Sequence, residues 1–259
     1  MKRRDFIKTG GGMAAMASAV SSQARQAQRL HIVSLSFDDG FRKSFIRTAE
    51  IYEKFSLSAC LNIVAVGNVP GMLQDDYALT RLIGDFPLWN ELQDRGHEIM
   101  PHGYRHAHLR DMPLEEAQDL VKKCLEVFGE KLRGFNPKKA VFNFPYNQSS
   151  PELEAWLPSQ VRAFRTTGGE VNPLPGQKTV KITTSGYGPT NCEAHLDRRL
   201  SQFLAGPSGW FVYNVHGLDE EGWGPIRASY LERLIGRLLE VESVRIVPTA
   251  RALVQVKEI

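Results

Sequence analysis

The chain reads as an α/β protein, a distorted (β/α) barrel of about seven strands in a single domain. Three observations carry this expectation. Short apolar, β-branched segments alternate with amphipathic helical ones through residues 25–259, the pattern of a largely parallel sheet. Four of the strand segments end in polar, chemically capable groups, Asp38-Asp39, His102, Asn143 and His216, as happens where a barrel collects its chemistry at the strand ends. No glycine fingerprint for a dinucleotide is present, which sets a doubly wound open sheet behind the barrel.

The elements follow in order. His31-Ile32-Val33-Ser34-Leu35 is an apolar run that stops at Asp38-Asp39-Gly40, a buried strand ending in a tight turn. Residues 41–55 carry Phe41, Phe45, Ala49 and Tyr52 at helical spacing, and 58–66 read as a second strand. Residues 67–87, polar and punctuated by Gly and Pro, form a candidate active-site loop. A short helix over 88–94 and a strand over 97–100 come next. The clearest helix spans 113–132, with Pro113 in its first turn, Glu115 and Glu116 at its positive end, and a stripe of Leu114, Ala117, Val121, Leu125 and Phe128. Strands are then expected at 140–144, 161–167, 180–184, 210–215 and 244–247. Helices are expected at 150–157, capped by Ser150, at 193–204 and at 229–240. Trp89, Trp156 and Trp210 lie within elements and are assigned to the core.

The first 24 residues differ in kind. Lys2-Arg3-Arg4-Asp5-Phe6-Ile7-Lys8 is a basic segment, Gly10 to Val20 is weakly apolar, and Ser22-Gln23-Ala24 suits a small-residue cleavage site. Paired arginines ahead of Phe-Ile-Lys look like a twin-arginine export signal, which implies a periplasmic or cell-envelope protein of bacterial type. This segment holds all of the chain's net charge of +3, so residues 25–259 are close to neutral and the composition argues against a nucleic-acid partner. No run of 18 apolar residues is present to span a membrane. Cys60, Cys124 and Cys192 lack metal-knuckle spacing, and Cys60 and Cys124 read as small buried hydrophobes.

The chemistry starts from the two adjacent carboxylates. Either Asp38 and Asp39 form a solvated turn, or one is tied up by a cation and the other left free as a base. Downstream, His102-Gly103-Tyr104-Arg105-His106 places two imidazoles at i and i+4, on one face if the segment makes a helical turn. With a carboxylate from another strand end they make a two-His, one-Asp site with open positions, as a catalytic divalent metal such as Zn2+ requires. His97 reads as packed along its strand and His108 as a surface residue. Trp223, in the acidic stretch His216-Gly217-Leu218-Asp219-Glu220-Glu221-Gly222-Trp223, either packs that loop onto the barrel or offers a face to a sugar ring.

Taken together, Ser36-Phe37-Asp38-Asp39-Gly40, Gly96-His97-Glu98-Ile99 leading into His102 to His106, Phe144-Pro145-Tyr146, and Val215-His216 resemble the polysaccharide deacetylase family with the NodB homology domain. The order and spacing cover nearly all of residues 25–259. The resemblance implies that Asp39, His102 and His106 hold zinc or a similar metal, that Asp38 is the general base and His216 the general acid. It also implies that Asn143, Pro145, Tyr146 and Val215 lie on the substrate side, with a backbone N–H near Tyr146 helping to hold the oxyanion. Two departures stand out. Family members usually carry an arginine in place of Asn143 and a glycine in place of Asn147, and that arginine pairs with the catalytic Asp; an Asn can orient it but supplies no charge. The family's Asp-containing motif is not recognisable in Phe164-Arg165-Thr166-Thr167-Gly168-Gly169, where Arg165 could substitute spatially if its guanidinium reaches Asp38. The expected activity is metal-dependent removal of acetate from an N-acetylated sugar or polysaccharide. An O-acetyl esterase, an amidase on a small non-sugar substrate, and an inactive carbohydrate-binding protein that kept the metal are the alternatives.

Overall fold

The computed structural model describes residues 29–73 and 80–255; the segment 1–24, expected from sequence to direct export, lies outside them. β1 (His31–Phe37) is followed by α1 (Arg42–Glu53), β2 (Cys60–Ile63), α2 (Phe86–Asp94), β3 (Glu98–Pro101), α3 (Leu114–Lys131), β4 (Val141–Asn143) and α4 (Pro151–Trp156). Then come β5 (Ala163–Thr167), β6 (Val171–Asn172), β7 (Lys181–Thr184), α5 (Glu193–Ala205), β8 (Gly209–Val215), α6 (Ala228–Leu239), β9 (Val244–Ile246) and α7 (Thr249–Gln255). The expected elements are present with shifted ends, and β6 and α7 were not anticipated: two residues and seven are too short to leave a periodic signature.

The strands form two arcs, β3-β2-β1-β8-β6 with β9 also beside β1, and β4-β5-β7. Apart from β6, which is antiparallel to β8, all ladders are parallel. The arcs meet at two edges. Ser185 and Tyr213 make a single parallel bridge beside β7 and β8, and Asn143 Nδ2 and the Val141 N–H reach Pro101 O and Met100 Sδ, each at 3.4 Å, between β4 and β3. Seven strands thus close a circuit, β1-β2-β3-β4-β5-β7-β8, with a weak seam on each side, which is the distorted barrel the sequence predicts.

Strand alternation sorts the side chains into two clusters. Val33, Leu35 and Phe37 of β1 point outward and pack with helix residues such as Phe45, Tyr52, Leu231 and Leu234. Ile32, Val141, Ala163, Ile182 and Trp210 point inward and fill the lower barrel, closed from below by Ala250, Ala252 and Leu253 of α7. Trp89 and Trp210 are buried as expected, and Trp156 is partly buried against the core. The three cysteines are free and buried. Residues 67–73 and 80–87 do not line the cleft described below: Ile83 bridges Phe41, and the Gly84 N–H donates to Gly40 O at 3.0 Å, tucking the segment beside the β1 turn.

The closing helix depends on one side chain. Glu98, buried at the start of β3, accepts from Thr249 Oγ1 (3.1 Å) and the N–H groups of Ala250 and Arg251 (3.0 Å each), so it caps the first turn of α7 from another element. Glu98→Ala strands these donors in a dry site, and a loss of about 1–3 kcal/mol is expected. Urea unfolding monitored by circular dichroism measures it; an unchanged midpoint would show that α7 holds without the cap.

Candidate active site

Inward positions rise from apolar to polar along the barrel axis. On β1 the inward series is Ile32, Ser34 and Ser36, then Asp38 just past the strand; Asn214 of β8 pairs with Ser36, Asn62 of β2 lies two residues beyond Cys60, the other partner of Ser36, and Asn143 and Arg165 pair across β4 and β5. These groups are buried, so each needs a partner. Arg165 donates through Nη1 to Asp38 Oδ1 (2.9 Å) and Ser36 Oγ (2.7 Å), and through Nη2 to Asp38 Oδ2 (2.5 Å). Asn62 Nδ2 adds a bond to Asp38 Oδ1 at 2.7 Å, and Asn214 Nδ2 one to Oδ2 at 2.6 Å. The Asp38 carboxylate therefore accepts four hydrogen bonds. Burial pushes its pKa up, but Arg165 outweighs burial and holds it far below the usual carboxylate range.

Asp39 is set apart by its backbone. The next residue of a strand would point outward, but Asp39 has φ +83° and Gly40 φ +90°, which carry the chain into the left-handed region and turn the Asp39 carboxylate over the barrel mouth. There its Oδ1 lies 3.4 Å from His102 Nε2 and 3.4 Å from His106 Nε2. His102 follows β3 directly, whereas His106 is brought round by a loop with Gly103 at φ +81° and His106 itself at φ +54°. The expected helical turn over 102–106 is thus corrected: a loop, not an i, i+4 face, converges the two rings. A cluster of non-glycine residues at positive φ, Asp39, His106, Tyr146 and Asn147, marks this mouth as strained backbone around chemistry.

The three side chains fit a divalent metal. Asp39 Oδ1 is buried and makes no hydrogen bond, and a ligand atom from each residue lies within 4.8 Å of the other two. His102 Nδ1 stands 3.0 Å from Asn143 O, which can only accept, so Nδ1 carries the proton and Nε2 presents a lone pair. Burial pushes the His106 imidazole down to about 3, so that ring is neutral near neutral pH. A carboxylate oxygen and an imidazole lone pair facing each other at 3.4 Å repel unless a cation lies between them. That separation is also the edge of a tetrahedron with bonds of about 2.1 Å, the zinc–ligand distance.

Asp38, Asp39, His102, His106 and His216 all open onto one cleft of about 530 Å³, together with Tyr146, Asn147, Gln148, Thr167, Thr184, Ser185, Gly186, Asn214 and Trp223. This size suits a small ligand or one to a few sugar rings. Of the residues expected on the substrate side, Tyr146 and Trp223 line the cleft. Asn143, Pro145 and Val215 do not: all three are buried beneath it. Pro145 packs on Gly103, where an added Cβ would come within 2.8 Å of its ring. The Asn143 amide donates to Asn62 Oδ1 at 2.9 Å and Val141 O at 3.0 Å, away from Asp38, and its carbonyl holds His102. His97 is buried with Nε2 3.0 Å from Glu53, and His108 stacks on Tyr146 with ring centroids 3.7 Å apart; neither joins the ligand cluster.

Asn62 and Asn214 escaped the sequence reading, although each interrupts an apolar strand in phase with Asp38 across the register, a signal available from period-two alternation. The acidic stretch after His216 also has a structural meaning. Glu221 Oε2 accepts the Ser44 N–H (2.9 Å) and hydroxyl (2.5 Å) in the first turn of α1, while Asp219 Oδ1 accepts the Ala228 N–H at 3.0 Å at the start of α6. Two of its three carboxylates are helix caps that fix the loop.

Arg165 and Asn143 face each other across the β4–β5 ladder, so a guanidinium from either strand starts on the same inward face. Arg165→Met leaves a buried carboxylate without its counter-charge, and a loss of about 3–5 kcal/mol is expected. The exchanged pair Asn143→Arg with Arg165→Asn is expected to recover most of it, as measured by urea unfolding of the two variants; a double variant no better than Arg165→Met would show that only β5 can deliver the charge.

No curated protein matches this sequence. Among solved structures the chain is similar to the Xyl-CE4 domain of a multidomain xylanase from the hindgut metagenome of Trinervitermes trinervoides, with TM-score 0.56 and 12% identity over 87% of this chain and 91% of that one. It is similar also to a family 4 acetyl xylan esterase from Clostridium thermocellum in complex with a cobalt ion, with TM-score 0.54 and 16% identity over 86% and 90% of the two chains. A third likeness is to a peptidoglycan deacetylase from Bacillus subtilis, with TM-score 0.51 and 15% identity over 87% and 90%. At these identities the likeness is one of fold. A family model described as polysaccharide deacetylase matches residues 25–182, from ahead of β1 into β7, and the chain belongs to the polysaccharide deacetylase family.

Proposed function

We propose that the protein is an exported, metal-dependent hydrolase that removes acetate from an N-acetylated sugar unit of a polysaccharide. The observation that carries this reading is the convergence of Asp39, His102 and His106 on the floor of a cleft that also exposes Asp38 and His216. Export rests on the basic segment of residues 1–24 and would bring cell-envelope polymers within reach of a single catalytic domain over 25–259.

In this reading Asp39, His102 and His106 hold a divalent ion, zinc by preference, which supplies Lewis acidity to the acetyl carbonyl and makes water nucleophilic near neutral pH. Asp38 stays ionised because Arg165 pairs with it, and it stands outside the ligand cluster as acceptor for the proton that water gives up on attacking the acetyl carbon. One of its amide donors, Asn62 or Asn214, gives way to that water. The amide nitrogen must be protonated to leave, and His216, on the cleft wall after β8, delivers this proton as the C–N bond breaks, yielding acetate and a free amine. Tyr146 and its neighbouring backbone, held at positive φ, flank the carbonyl side.

Chelation followed by dialysis is expected to abolish acetate release from acetylated chitooligosaccharides, and added zinc to restore it. His102→Ala should lose metal and activity together; full metal content in this variant would remove His102 as a ligand. Asp38→Asn should keep its metal while turnover falls by about 10²–10⁴, and elemental analysis beside an acetate assay reads both quantities. Release from acetylated xylan with none from chitooligosaccharides would move the reading to an O-acetyl esterase.

A further inference from the structure

Two amides hold the Asp38 carboxylate, and they are placed differently. Asn62 is wholly buried; its Nδ2 is shared between Asp38 Oδ1 and Ser36 Oγ, each at 2.7 Å, and its Oδ1 accepts Asn143 Nδ2 at 2.9 Å. Asn214 instead lines the cleft, and its Nδ2 bonds Asp38 Oδ2, the oxygen that comes within 3.8 Å of His102 Nε2. Asn214 therefore holds the oxygen that faces the histidine cluster. One more amide stands behind it: Asn147, also on the cleft, donates from Nδ2 to Asn214 Oδ1 at 3.0 Å. The backbone pins Asn147, since its N–H donates to Phe144 O at 3.0 Å, its carbonyl accepts Thr166 Oγ1 at 3.1 Å, and its φ is +54°, a region Asn occupies more readily than most residues. Gly186 packs on Asn214, where an added Cβ would lie 3.3 Å from Oδ1.

Chemistry fixes the polarity of this row. A carboxylate paired with Arg165 only accepts, so Asn214 must turn Nδ2 toward it and Oδ1 away; that Oδ1 only accepts, so Asn147 must present Nδ2 to it. Asn147 Oδ1 is buried and accepts no hydrogen bond, so among the described residues Asn214 alone selects the orientation of this amide. We infer that Asn147 and Asn214 are positioning residues for the reaction, a two-amide relay of fixed polarity that runs from the cleft lining to Asp38 Oδ2 and holds the proton-accepting oxygen in place. Asn214 acts on Asp38 directly, and Asn147 acts through Asn214. The aligned amide dipoles also strengthen the last bond of the row. The role in a reaction rests on the deacetylase reading; the relay itself rests on the hydrogen bonds.

Three substitutions in the full chain, with zinc supplied, test this; acetate release from acetylated chitooligosaccharides gives kcat and KM, and urea unfolding gives stability. Asn147→Asp keeps the shape but, ionised at about pH 8, cannot donate. It turns a second acceptor toward Asn214 Oδ1 and draws that amide round, away from Asp38. Turnover is expected to fall by about tenfold or more, the effect of a misplaced catalytic group, with KM held within about twofold. Asn147→Gly removes the side chain without strain at φ +54° and lets cleft water donate in its place, so turnover should fall by no more than about threefold. A space-filling role predicts the opposite order. In an Asn214→Ala background, where the relay is already cut, Asn147→Asp should bring no further loss of turnover and no further fall in urea midpoint. Asn147→Asp as active as Asn147→Gly, an equal penalty in both backgrounds, or a change confined to KM would overturn the relay. If Asn214→Ala does not fold, the order of the two Asn147 variants decides alone. If the wild type releases no acetate from chitooligosaccharides or acetylated xylan, the deacetylase reading falls, and the urea midpoints decide the relay by the same comparisons.

Discussion

The structure depends on a buried ion pair. Asp38 and Arg165 are both almost wholly buried, and bringing two charges into such a site costs several kcal/mol each before any attraction is counted. The pair is tolerable because both oxygens of Asp38 are fully partnered: a two-pronged guanidinium–carboxylate contact and amides from Asn62 and Asn214 on the remaining positions, with the Ser36 hydroxyl sharing Arg165. These partners come from β1, β2, β5 and β8, on both arcs of the barrel. The pair therefore ties together two sheets whose edges are joined by little else, and a shift at either seam would leave a charge unmatched.

That constraint explains the division of work between neighbouring residues. Because Asp38 is committed to the barrel interior, it is not free to bind an ion, and the left-handed turn at Asp39 supplies a second carboxylate above it. The two acids, adjacent in sequence, thus face different partners. A similar division operates across β4 and β5. Asn143 contributes its carbonyl, which selects the His102 tautomer with Nε2 free, while Arg165 opposite it in register contributes the charge. The arginine expected on β4 by family resemblance is thus met from the adjoining strand, at the position where the ladder puts a side chain on the same face.

Much of this was legible in the residues and some was not. The alternation of apolar runs and amphipathic stripes predicted the barrel and its strand ends, because periodicity is a local property. That Asp39, His102 and His106 would come together was readable from motif order. The geometry that joins them was not, since the helical reading of 102–106 missed positive φ at His106, a conformation imposed by the surrounding loop. Asn143, Pro145 and Val215 belong to the right motifs but sit one layer below the cleft, and motif membership does not say which atom of a residue faces the ligand. Asn62 and Asn214 stand in the phase that alternation reveals, but a single Asn in an apolar strand gains meaning only once the closed sheet brings its amide to Asp38.

The loop that carries His216 follows the same logic from the opposite wall. A proton donor must keep its place while the leaving group changes charge, so a loop end is a poor site for one unless the loop is fixed. Here Glu221 is bound to the first turn of α1, which itself follows the Asp38-Asp39 turn, and Asp219 caps α6. Leu218 N–H also donates to Ser44 Oγ at 2.9 Å. The wall bearing His216 is thereby anchored to the element that begins where the two carboxylates end, so His216, Asp38 and the Asp39, His102 and His106 cluster share one frame. The acidity of this loop, conspicuous in sequence beside a histidine, is spent on holding position and not on substrate.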